Sequence, residues 1–193
     1  MSEERELVQR FIAEALCNPH NREILARLPE LHLPQTYLVA GCLFQTVWNL
    51  ISSRPATENI KDYDVFYFDD SDLSWEAEDA AIRRANALFA DLDAKVELRN
   101  QARVHLWYEQ HFGAPCPRLN HSRDGIDRFL IPCTCVGIQP SPERPLEVYA
   151  PYGLAELYAG ILRPNPVNDE VRLFQAKAAS YRARWPWLTI RSG

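Results

Sequence analysis

Glycine is scarce, and its placement rules out several phosphate-binding loops. Seven glycines occur among 193 residues, and no two stand two positions apart. That excludes G-x-G-x-x-G and the P-loop. No G-x-S-x-G elbow and no H-E-x-x-H helix occurs either. Long apolar runs are also missing. The most apolar stretch, Tyr37 to Ile51, is broken by Gln45 and Asn49 and is too short to span a bilayer. The opening residues, Met1 to Glu6, are acidic and hold no hydrophobic signal core. Basic excess is lacking: 21 Lys and Arg stand against 26 Asp and Glu, a net charge of −5. That argues against a general nucleic-acid coat protein while leaving room for a local basic groove. The five cysteines are an odd number and cannot all pair internally. The expectation is a reduced, cytoplasmic protein with no membrane partner and no strong nucleic-acid signal.

What is present describes a folded domain. Hydrophobic residues make up 47% and charged residues 24% of the chain, which sets it apart from disordered sequences. A chain this long buries roughly 70% of its unfolded surface, so it needs no disulfide staples.

Leu7, Val8, Phe11, Ile12, Ala15 and Leu16 recur at helical spacing. Asn18-Pro19 ends that helix, and a second spans Arg22 to Leu28. Tyr37 to Ala40 reads as a short strand, Gly41 breaks it, and Leu43 to Ser52 reads as a helix. Tyr63 to Phe68 is aromatic and β-branched, hence a strand. Ser74 is a plausible N-cap for a helix reaching Leu92. Lys95 to Arg99 is a strand, and Asn100 caps a helix from Gln101 to Phe112 that Gly113 ends. Beyond that point the spacing predicts a helix over Ser122 to Phe129 and strands over Cys133 to Gln139 and Leu146 to Tyr149. Two more helices are expected, Gly153 to Leu162 and Asn168 to Arg184. The pattern is that of an α/β (α+β) domain with helices packed on a small sheet.

The sharpest constellation is Asp62-Tyr63-Asp64 at the head of an otherwise apolar strand. Side chains alternate along a strand, so Asp62 and Asp64 point to one side. Two carboxylates so close repel unless something neutralises them. A divalent cation such as Mg2+ (or Mn2+) does so, held by one or two carboxylates and substrate phosphates. Two such ions, roughly 3.5–4 Å apart, clamp the attacking and leaving oxygens of an in-line phosphoryl displacement. Glu97, in the next expected strand, is the candidate third carboxylate. Arg99 shares its face and Arg103 follows in the first turn of the next helix, each able to meet a phosphate bidentately. Ala40-Gly41-Cys42, between a strand and a helix, lets backbone approach an anion at a helix N-terminus. The plainer alternatives are a solvated strand end and a tight turn.

These stretches together resemble the DNA polymerase beta-type nucleotidyltransferase superfamily. More closely, they resemble an uncharacterised bacterial nucleotidyltransferase-like family. The resemblance rests on Ala40 to Asn49, Ile60 to Asp69, Arg99 to Tyr108, Tyr152-Gly153-Leu154 and Arg163 to Pro166. It covers most of the chain for the closer family and residues 37 to about 113 for the superfamily. It implies a small mixed sheet flanked by helices, with residues 1–113 forming the N-terminal helices and nucleotidyltransferase-like core. Residues 114–193 would be a C-terminal α/β extension packed on the core, a possible acceptor-recognition part. It further implies magnesium-dependent transfer of a nucleotidyl group from a nucleoside triphosphate. By that resemblance Asp62, Asp64 and Glu97 ligate metal, and Gly41 and Cys42 line the triphosphate. The acceptor hydroxyl could lie on a small molecule, a protein side chain or an RNA end. The alternative is a non-catalytic nucleotide- or partner-binding module of the same fold.

Two other sets have bland readings beside sharp ones. Cys116, His121, Cys133 and Cys135 are zinc-ligand types at spacings that match no common finger, and buried free cysteine is the usual state. The last helix and its end carry Arg172, Lys177, Arg182, Arg184 and Arg191, a set that would suit RNA or an acidic partner but more simply marks a solvated helix face.

Overall fold

The computed structural model describes residues 3–113, 116–141, 146–168 and 170–191, without the side chains of residues 111 and 112. Among them are eight α-helices and seven strands. The strands are β1 (Tyr37–Val39), β2 (Tyr63–Tyr67), β3 (Val96–Asn100), β4 (Gly137–Gln139), β5 (Glu147–Tyr149), β6 (Ile161–Leu162) and β7 (Thr189–Ile190). The helices are α1 (Glu3–Ala15), α2 (Pro19–Arg27), α3 (Gly41–Ile51), α4 (Trp75–Leu88), α5 (Val104–Phe112), α6 (Ser122–Asp127), α7 (Ala155–Ala159) and α8 (Val171–Arg184).

Five strands form one mixed sheet in the order β3-β2-β1-β4-β5, and β6 and β7 pair separately. β2 and β3 run parallel, while β1 is antiparallel to both β2 and β4. The register explains the two faces of the sheet. Leu98, Val65, Leu38 and Ile138 are cross-strand partners in one row, and each is at most 1% exposed. This row joins the main core with Phe11, Leu28, Val47 and Trp48 from α1, α2's end and α3. One residue further along, the row Glu97, Asp64, Val39, Gly137 points to the opposite face. There α6 covers β1 and β4 so closely that a Cβ on Gly137 would stand 2.8 Å from Ile126 Cδ1. The β2–β3 half of that face lies beside a cavity.

Caps set several boundaries. Asn18 accepts from the amides of His20 and Asn21 to start α2, and Ser74 accepts from Ala77 to start α4. Asn100 caps the turn Gln101–Arg103 and also exchanges two bonds with the Asp69 backbone, tying β3 to the segment after β2. Most expected elements shift at an end, and three of the changes have a visible cause. The helix from Ser74 stops at Leu88, whose carbonyl takes a bond from Arg27. The expected strand from Cys133 begins only at Gly137, because Pro132 opens a 3₁₀ turn that Thr134 closes on the Ile131 carbonyl. The expected helix to Leu162 ends at Ala159, where Gly160 turns left-handed (φ 66°) and β6 pairs with β7. No described helix is long and apolar enough to cross a membrane.

Candidate active site

A cavity of about 420 Å³ opens on the β2–β3 half of the sheet. Its floor holds Asp62, Asp64, Phe66 and Arg99. The parallel register sets Glu97 beside Asp64 and Arg99 beside Phe66. The antiparallel register sets Val39 beside Asp64, which delivers the start of α3 to the same place. Ala40, the residue between β1 and α3, has φ 58° and ψ −125°. A non-glycine residue holds such a backbone only where its surroundings impose it; here its N–H is tied to the Val136 carbonyl at 3.1 Å. The turn presents Gly41 and Gln45 at the cavity wall. The facing wall is α8, through Leu173, Lys177 and Tyr181, and the far end is aromatic, with Trp107, Tyr108 and Phe129.

Negative charge exceeds its compensation at the floor. The Asp64 carboxyl is pushed up to about 6, first by burial, then by the charges of Asp62 and Glu97; Arg99 and Lys177 pull the other way. Glu97 is ion-paired with Lys95, and its Oε2 lies 3.6 Å from Arg99 Nη2. It is adjacent to the cavity but is not part of its lining. Among the described residues no group of three or more His, Cys, Asp or Glu side chains is arranged to hold a metal ion. Asp62 and Asp64 are the carboxylates of the lining that could hold a divalent cation, with substrate oxygens needed to complete its shell.

Other sequence candidates lie elsewhere. The Arg103 guanidinium is buried in an ion pair with Glu78, and its Nε donates to the Leu73 carbonyl at 2.9 Å. It is not part of the cavity lining, and its partner Glu78 is itself buried (8% exposed) and bonded to the Asn100 amide. Cys42 is fully buried; its thiol points into the main core and donates to the Val39 carbonyl at 3.4 Å. Burial and the nearby Asp64 charge push that thiol well up and keep it protonated. Of the Ala40-Gly41-Cys42 turn, only Ala40 and Gly41 reach the cavity lining. The zinc set is dispersed: Cys133 faces the main core, Cys135 the smaller cluster around Tyr37, and His121 is exposed.

The nucleotidyltransferase family profile matches residues 26–190, most of the chain. The chain belongs to the nucleotidyltransferase family. One solved structure, described as a CCA-adding enzyme head domain, superposes with a TM-score of 0.75 at 26% identity, covering 98% of this chain and 96% of its own. No curated protein is significantly similar. In this nucleotidyltransferase several polar groups of the cavity had no place among the expected site residues, among them Gln45, Arg128, Lys177 and Tyr181. Gln45 stands four residues after Gly41, on the same helical face, which is a usable signal. Lys177 was legible only as part of a charged helix. Its neighbours Phe174, Ala178 and Tyr181 are the buried stripe of α8, and that stripe brings Lys177 to the cavity.

Proposed function

We propose that this nucleotidyltransferase moves NMP from a nucleoside triphosphate to a hydroxyl of its acceptor, with Asp62 and Asp64 as the metal-holding pair. The observation that carries this reading is the meeting, in one cavity, of two unneutralised aspartates, a helix N-terminus at Gly41, the cations Arg99 and Lys177, and an aromatic end. A divalent cation bound there would supply charge neutralisation at the reacting phosphate and lower the barrier to deprotonating the acceptor hydroxyl. The chain's own groups do the rest. Gly41 lets the triphosphate approach the first amides of α3. Arg99 and Lys177 balance the charge of the departing pyrophosphate. Phe66, Trp107 and Tyr108 offer apolar area and ring faces for the base. Glu97 holds Lys95 and Arg99 in place and adds to the negative field that makes Asp64 a strong cation ligand.

Residues 114–193 contribute the α8 wall and the Phe129 side of the cavity, which supports a role for them in acceptor recognition. The net charge of −5 favours a compact acceptor, such as a small molecule, a protein side chain or an RNA end, over a long nucleic acid. All five cysteines are free, which suits a reduced cytoplasm. Because the solved neighbour bears the name of a CCA-adding enzyme, CTP and ATP are the first donors to test. The test is thermal unfolding with each of ATP, GTP, CTP and UTP, with and without Mg2+, for wild type and Asp64→Asn. A stabilisation that needs both metal and nucleotide and disappears in the variant is expected. Stabilisation that survives in Asp64→Asn would remove the aspartate pair from the proposal.

A further inference from the structure

α8 carries a second cation beside the cavity. Arg184 is half-buried, and its guanidinium lies over the rings of Trp185 and Tyr181, with Cζ 4.5 Å and 5.2 Å from their centroids. Its Nε is buried without a hydrogen-bond partner, and among the described residues no carboxylate pairs with it. Its side chain has one polar partner there, a neutral amide: Nη1 donates to Gln45 Oε1 at 3.0 Å. Holding a desolvated charge against a neutral partner is an expensive way to join two helices.

The arrangement has a directional consequence. A guanidinium only donates, so the Gln45 atom that meets it must be the oxygen. The other amide atom, Nε2, then faces the cavity side of α3. A Cβ placed on Gly41 would lie 2.7 Å from it. Nε2 donates to no protein acceptor among the described residues. Gly41 and Gln45 both line the cavity, within the same turn of α3.

We propose that Arg184 is a positioning residue: it locks the Gln45 amide so that Nε2 stands over Gly41 and donates to a phosphate oxygen of the bound nucleotide. This rests on the nucleotide reading of the cavity. Without the lock the amide is free to flip and present its oxygen to the phosphate, replacing an attraction by a repulsion. Arg184 itself does not line the cavity; it acts through Gln45.

The experiment is calorimetric titration of inorganic tripolyphosphate with Mg2+ into the full chain. The proteins are wild type, Arg184→Gln, Arg184→Lys and Gln45→Glu, each also followed by thermal unfolding. A glutamine at 184 can donate or accept and releases the lock, so affinity should fall about tenfold. A lysine also only donates, so Arg184→Lys should stay within about threefold of wild type. The carboxylate introduced by Gln45→Glu would pair with Arg184, raising the midpoint of the ligand-free protein while weakening tripolyphosphate binding. Equal affinity in wild type and Arg184→Gln, or a lysine variant as weak as the glutamine one, overturns the role of Arg184 and leaves the cavity a phosphate site. Should Arg184→Gln fail to unfold cooperatively, Gln45→Glu decides, and unchanged binding there overturns the proposal. No binding of tripolyphosphate by the wild type overturns the nucleotide reading and this inference with it.

Discussion

Replacing Asp64 by asparagine should make the ligand-free protein more stable while abolishing turnover. Asp64 ionises at about 6 in the folded chain against an ordinary value of 3.8. One unit corresponds to about 1.4 kcal/mol, so holding the folded carboxylate ionised at pH 7 costs about 3 kcal/mol relative to the unfolded chain. Asparagine carries no charge but still needs hydrogen bonds, so the net gain should be about 1–3 kcal/mol. For a chain of this length that is a rise of about 5 °C in midpoint. The sign with pH follows from the direction of the shift. Because the folded value lies above the unfolded one, the penalty is complete above about pH 6. It shrinks as pH falls through the window down to 3.8, and it is absent below. The assay is thermal unfolding of both proteins at pH 7, 5 and 4 without metal. The advantage of the variant should be largest at pH 7 and vanish by pH 4. A variant less stable than wild type at pH 7 would show that Asp64 makes a stabilising contact, and the idea of an unneutralised pair would fall.

Three further outcomes separate the residues of the cavity from those beside it. Gly41→Ala should cost about 1–2 kcal/mol, since its Cβ would stand 2.7 Å from Gln45 Nε2 and must displace an amide that Arg184 holds. It should also weaken Mg2+-nucleotide binding about tenfold by pushing Nε2 aside, and unchanged affinity in a titration would count against that. Arg103→Met strands the buried Glu78 and should cost about 3–5 kcal/mol in denaturant unfolding, with nucleotide affinity of the folded protein unchanged. A stable variant with weakened nucleotide binding would restore Arg103 as a phosphate ligand. Cys42→Ala should cost about 1 kcal/mol and leave affinity intact, which equilibrium dialysis with a labelled nucleotide would check.

The central strands were legible because they are short apolar runs rich in aromatic and β-branched residues, and β1 is buried along its whole length. In β2, Tyr63, Val65 and Tyr67 are buried while Asp64 and Phe66 line the cavity, and Asp62 lines it too, as the alternation of a strand placed it. The carboxylate pair was visible because two charges interrupt an otherwise apolar run. Arg103 was misplaced because proximity in sequence to Glu97 suggested proximity in space, whereas its partner Glu78 lies on α4. Cys42 was misplaced because the direction of a side chain at a helix start depends on the angle at which the helix leaves the strand. Ala40 sets that angle with a backbone conformation that an alanine does not advertise. Lys177, Tyr181 and Arg184 could not be assigned because no local pattern reports which cavity a distant helix will close.

The sheet order bears on how the enzyme comes to life during synthesis. β1 sits between β2, which follows it closely, and β4, whose Ile138 pairs with Leu38. The aspartate strand can therefore pair with β1 early, but the partner on β1's other side, β4, begins only at Gly137, 70 positions after β2 ends at Tyr67. The α8 wall arrives later still. A nascent chain thus exposes its aspartates to water before it can enclose a nucleotide, and activity should switch on in one late step rather than grow with length. Weakening the docking of α8, for example at the Trp185–Asn49 bond of 3.0 Å, should then mimic an active-site lesion without touching either aspartate.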